Sequence, residues 1–167
     1  MGRLFVPAES TDKLGELFTN NVESTKIGRM KYSFMLRDDG TIIDDVVSYG
    51  LEDGILLVVN ASAYDEDVAW LKGHGVTVEE VTGETAMIAV QGPSSPSMAT
   101  SLGFGLGQWF SFQPLNGWER CWSGGIVSRS GYTGEDGFEV IGSPELVREV
   151  YRKALALGAS PAGLGAR

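Results

Sequence analysis

The 167-residue sequence has one cysteine, Cys121, and one histidine, His74. An intrachain disulfide is therefore excluded, and a zinc site built on Cys and His ligands cannot be assembled from this chain alone. Basic residues are scarce. Thirteen Lys and Arg against 22 Asp and Glu give a net charge of -9, and no basic cluster is long enough to follow a phosphate backbone. Nucleic acid is not expected as a partner. Apolar runs such as 55–59 fall far short of the roughly 20 residues of a membrane helix, and the N-terminus has no apolar signal-peptide core. No membrane association is expected, and the lone thiol fits a reducing compartment, so the reading is a soluble cytoplasmic protein. No Walker A motif occurs. Gly103, Gly105 and Gly107 alternate after a helical stretch rather than a strand, which argues against a dinucleotide fingerprint. What remains is an ordinary globular composition, 43 % hydrophobic and 21 % charged.

Gly, Asp and Pro punctuation predicts strands over 4–7, 30–36, 41–49 and 55–59, and helices over 10–19 and 62–72. Asp38-Asp39-Gly40 marks a hairpin between the second and third strands. The plan recurs in the second half, with a strand over 86–90, a helix over 95–102, a long hairpin over 110–128, a strand over 138–141 and a helix over 144–157. One offset of 83 aligns Tyr49 with Tyr132, Glu52 with Glu135, Asp53 with Asp136, Gly54 with Gly137 and Gly75 with Gly158. It also lays Phe5 on Ile88 and Ile43 on Ile126. The hairpins point to an α+β fold with mostly antiparallel sheets, a single domain of two pseudo-repeats at about 1–75 and 84–158. Two such halves would form a cleft where they meet. After the breaker Ala159-Ser160-Pro161 no further strand or helix closes the fold, so the chain reads as cut there.

Three stretches carry candidate chemistry. In Ile42-Ile43-Asp44-Asp45-Val46-Val47 two carboxylates sit inside an apolar strand. Alternation sends them to opposite faces, Asp45 sharing a face with Ile43 and Val47, so one of them points inward. A carboxylate among apolar neighbours needs a partner and is often functional, whereas an edge pair that blocks aggregation is the plain alternative. The run 128–139 has three glycines among polar and aromatic residues. Its glycines allow backbone to approach a ligand, and Glu139 has the chemistry to accept two N–H donors from a planar amino-heterocycle, although a plain hairpin needs no function. The third stretch, 161–167, ends on Arg167, either a guanidinium for a ligand carboxylate or a solvated terminal residue. His74 at a helix end reads as a cap, and Asn60 as the cap of the second helix rather than a glycosylation acceptor.

Together these segments resemble the aminomethyltransferase, or glycine-cleavage T-protein, family and its folate-binding relatives. The resemblance rests on Met1-Gly2-Arg3, Ile43-Asp44-Asp45, Leu57-Val58-Val59-Asn60-Ala61, Val90-Gln91-Gly92-Pro93, the 128–139 run with its Gly-Tyr-Thr-Gly-Glu-Asp-Gly-Phe-Glu stretch, and 161–167. It implies a duplicated folate-binding unit without the family's opening segment and C-terminal part. It further implies that Asp45 stands at the catalytic aspartate position, Glu139 at the carboxylate that holds the pterin ring and Arg167 at the arginine that meets the folate tail. By the same resemblance Tyr132 and Asn60 line that pocket and Met1 lies near the ligand. Where the family often has tyrosines this sequence has Trp109 and Phe110, which keep a stacking surface but lose the hydroxyl. The implied reaction moves a methylene unit from an aminomethyl-lipoyl carrier protein to tetrahydrofolate and releases ammonia. A folate-binding module without transfer, or a folate-dependent demethylase of a small methylated compound, remains the alternative. The two carboxylates, one from each half, are expected to serve one cavity.

Overall fold

The computed structural model describes residues 1–118 and 120–166, and it divides into two compact units. The first takes in Met1–Gly83 together with Trp118 and Arg120. Its strands are β1 (Gly2–Pro7), β2 (Met30–Leu36), β3 (Ile42–Gly50), β4 (Gly54–Val59) and β5 (Glu79–Glu80). They form one sheet in the order β2-β3-β4-β1-β5, with every neighbouring pair antiparallel. The predicted Asp-Asp-Gly turn joins β2 to β3: Gly40 takes φ +81°, and Thr41 donates from its N–H and hydroxyl to Asp39 Oδ1. β4 is buried along its whole length, as a continuous Val/Ile/Leu run requires. Helix α1 (Tyr64–Gly73) follows it.

The helix expected over 10–19 is not formed. A 3-10 helix spans only Ala8–Leu14, and the chain then extends so that Thr19 N–H donates to Phe34 O and Leu36 N–H to Leu17 O. Leu14, Leu17 and Phe18 are all buried as an apolar face demands, but tertiary pairing with β2 outweighs helix propensity.

The second unit comprises Glu84–Gly117 and the residues from Cys121 onward. It contains β6 (Ala86–Gln91), α2 (Ser95–Ser101), β7 (Phe112–Pro114), α3 (Cys121–Gly124), β8 (Ile126–Ser128), β9 (Gly137–Gly142) and α4 (Pro144–Ala156). Its sheet order is β6-β9-β8-β7, again antiparallel throughout. The hairpin expected over 110–128 is shorter than the sequence suggests. Three-residue strands flank the four-residue α3, with left-handed Gly117 (φ +81°) and Gly125 (φ +110°) breaking the ladder. α4 buries Val147, Val150 and Ala154, spaced three and four apart, against a core with Phe138 and Val140.

Shifted by 83 residues, β1 falls on β6, β3 on β8 and β4 on β9, and the β2-β3-β4-β1 order becomes β7-β8-β9-β6. The expected α+β class with duplicated, mostly antiparallel units is thus the one adopted. No helix among the described residues is long and apolar enough to cross a membrane.

Candidate functional site

In the first unit the chemistry gathers where β3 meets the end of β4. The register pairs Val47 with Val58, and two residues further along it Asp45 stands opposite Asn60. Alternation makes Asp44, 7 % exposed, the inward carboxylate, while Asp45 faces solvent. Asn60 ties the two together. Its backbone N–H donates to Asp44 Oδ2 (2.9 Å), and its Nδ2 donates to Asp44 Oδ1 (2.8 Å) and Asp45 Oδ1 (2.9 Å). The other Asp45 oxygen, Oδ2, accepts from the Tyr32 hydroxyl at 3.0 Å. Partial burial, then this hydrogen bond and the charges of Asp45 and Asp44, push the Tyr32 phenol up, so it remains the donor. Asn60 is therefore not the helix cap the sequence suggested: the N-cap position of α1 is Ala63, and the Asn60 amide is engaged by the two carboxylates. His74, by contrast, is the C-cap residue of α1, with its backbone N–H donating to Trp70 O and Leu71 O.

In the second unit Glu139 lies at the centre of β9, 5 % exposed, and accepts from the Ser130 hydroxyl. Burial pushes its carboxyl above the usual range, and the Ser130 bond acts against that rise. Ser130 also bonds Ser128 (2.8 Å), so strand β8 and the loop after it supply this buried hydroxyl pair. Two of the three glycines of the run have a structural occupant. A Cβ at Gly131 or Gly137 would lie 2.0 Å and 2.5 Å from the Gln91 side chain, whose Nε2 donates to Ser130 O and Phe138 O. Arg129 meanwhile holds Asp136 through two parallel bonds, Nε to Oδ1 at 3.0 Å and a terminal nitrogen to Oδ2 at 2.7 Å. Within this unit an apolar cavity of about 500 Å³ runs along β6, lined among others by Ile88, Gln91, Met98, Tyr132, Tyr151 and Pro161.

Of the residues named from the sequence, Asp45 and Asn60 are brought into contact, and Glu139 is buried with a hydroxyl partner. Tyr132 is 47 % exposed at the cavity wall. Met1 is exposed before β1, its carbonyl accepting from the Arg3 guanidinium at 2.7 Å. Trp109 and Phe110 lie 6.1 Å apart as tilted rings, Phe110 at a left-handed φ of 56°. Arg167 lies outside the described residues. Tyr32, Ser130 and Asp67 were not singled out from the sequence. Tyr32 had a signal, because its strand pairs with the one that bears Asp45, which places the two diagonally across the sheet. No group of three or more His, Cys, Asp or Glu side chains among the described residues is arranged to hold a metal ion.

Residues 8–167 match the family described as the GCVT N-terminal domain. The chain is 40 % identical over 163 residues to the aminomethyltransferase of Geobacillus kaustophilus, covering 92 % of this chain and 45 % of that protein. It is 37 % identical to the aminomethyltransferase of Listeria welshimeri, covering all of this chain and 48 % of that one. The fold superimposes on the crystal structure of glycine cleavage system aminomethyltransferase T from Bartonella henselae with a TM-score of 0.79 and 25 % identity, over 92 % of this chain and 42 % of that one. The chain thus spans about half the length of the aminomethyltransferases it matches, and it belongs to the GCVT N-terminal domain family.

Proposed function

We propose that the chain is the tetrahydrofolate-binding core of a glycine-cleavage aminomethyltransferase, acting with a lipoyl-carrying protein in the cytoplasm. One observation carries this reading: in a member of this family, Asp45 presents a solvent-facing carboxylate whose two oxygens are held by Asn60 and Tyr32. Tetrahydrofolate fits the residues present. Glu139 is a buried carboxyl with a hydroxyl partner, suited to two N–H donors on an aminopyrimidine edge, and the half-exposed Tyr132 ring offers a stacking face. Met1 and Asn60 are proposed to line the same ligand, and Arg167 to meet its carboxylate tail.

When bound, tetrahydrofolate supplies the nitrogens that accept the one-carbon unit. The role of the chain is electrostatic and positional. Loss of ammonia from an aminomethyl group leaves positive charge on carbon, and Asp45 is the group to stabilise it. Because Tyr32 and Asn60 already fix both carboxylate oxygens, little reorganisation is needed when that charge develops. Glu139 orients the ring and takes no part in the bond changes.

The test is calorimetric titration of tetrahydrofolate into the parent chain and the variants E139Q and D45N, together with methylene transfer from an aminomethylated lipoyl carrier. E139Q is expected to weaken binding by roughly ten- to a hundredfold, the cost of a hydrogen bond to a charged group. D45N is expected to bind but not to turn over. Equal binding and equal transfer in all three proteins would refute the assignment. Binding by the parent with no transfer would favour a folate-binding module instead.

A further inference from the structure

Next to Asp44 lies a carboxyl that the proposed function does not use. Asp67, in the first turn of α1, is fully buried, and neither of its oxygens has a hydrogen-bond donor. The charged groups around it are Asp44 from β3 and Glu66 from its own helix, the latter ion-paired to Arg37. Both are carboxylates. Two ionised carboxylates have only acceptor atoms, so side by side they cannot bond to each other, whereas a single proton between them turns the contact into an O–H···O bond. Asn60 already engages both oxygens of Asp44 with N–H donors.

We infer that Asp67 is a positioning residue: it carries a proton in the folded chain and donates it to Asp44, locking Asp44, the Asn60 amide and through it the Asp45 carboxylate in one orientation. The inference rests on the reading of Asp45 as the reacting carboxylate, but the pairing itself is independent of activity. Two of the three links are hydrogen bonds in the structure: Asp44 accepts twice from Asn60, and the Asn60 Nδ2 also donates to Asp45 Oδ1. The remaining link, from the buried and unpartnered Asp67 carboxyl to its neighbour Asp44, is the one the inference adds. Loss of the proton would place a second buried negative charge directly under this chain and weaken the hold on Asp45. Burial, reinforced by the Asp44 charge, pushes the Asp67 carboxyl up to about 8, so that loss falls at mildly alkaline pH.

The test is a carbon-13 NMR titration of the Asp side-chain carboxyls in the 167-residue chain, with D67N used to assign the resonance. One carboxyl, absent from D67N, should titrate near pH 8 while the Asp44 resonance moves at the same midpoint. In D44N the Asp67 midpoint should fall by about 1 pH unit or more, because the neighbouring charge is gone. If the proposed function also holds, tetrahydrofolate affinity should fall above about pH 8 in the parent and stay flat in D67N. Asp67 titrating below about pH 5, or a midpoint unmoved by D44N, overturns the pairing whatever the chain binds. A normal pairing with no tetrahydrofolate binding would leave the pair intact and refute the proposed function alone.

Discussion

Asp44 and Asp45 are neighbours in sequence, yet one is buried and the other open, because the strand turns successive side chains to opposite faces. Asn60 is the residue that reconciles them. N60A should therefore remove two side-chain donors at once, leave Asp44 short of a partner in the interior and cost about 1–3 kcal/mol in a chemical denaturation experiment. D45N should leave stability nearly unchanged, since its carboxylate is exposed, while lowering methylene transfer by about a hundredfold or more in a coupled assay. At Glu139 the direction is reversed. Ser130 is the group that opposes the rise caused by burial, so S130A should move the Glu139 titration midpoint still higher in carbon-13 NMR, and a fall would mean that the hydroxyl is not its partner.

At the level of elements, two contacts decide whether the units hold their form. The Ser143 hydroxyl accepts from Leu146 N–H at the start of α4 (3.2 Å), and S143A should lower stability by about 1 kcal/mol, read as a shift in the denaturation midpoint. Gly50 closes β3 against backbone: a Cβ there would stand 2.3 Å from Lys26 O and 2.4 Å from Thr25 O, neither of which can swing aside. G50A should cost about 3 kcal/mol or more and be visible as a large loss of thermal stability. Strands β1 to β4, β6 and β9 were legible because their patterns are local: alternation, apolar runs and an Asp-Asp-Gly turn with glycine at φ +81°. The stretch 10–19 was not, because Leu14, Leu17 and Phe18 satisfy a helical stripe and an irregular buried segment equally well. Only the long-range pairing of Thr19 with Phe34 decides between them. Asp67 was hidden for a similar reason. Asp67 shares the acidic first turn of α1 with Asp65 and Glu66, where acidic residues are ordinary, although it lies four residues before the buried Leu71 on the same face.

For the whole molecule, two of the buried carboxyls, Asp67 and Glu139, give stability a definite dependence on pH. Asp67 is pushed up to about 8 and Glu139 is raised in the same direction, so the folded chain retains protons that the unfolded chain releases near the ordinary carboxylate range of about 4. Their contribution is complete below about pH 4 and declines as pH rises, for Asp67 by up to roughly 1.4 kcal/mol per pH unit until its folded midpoint is passed. Denaturation midpoints measured between about pH 5 and 8 should accordingly fall with pH, and should fall less steeply in D67N. The proposed function stands or falls on Glu139 as the carboxyl that takes up tetrahydrofolate. The most direct measurement is a tetrahydrofolate titration that follows the Glu139 carbon-13 carboxyl resonance in the parent chain. That resonance should shift along a saturable binding curve; a resonance unmoved at saturating tetrahydrofolate would contradict the assignment.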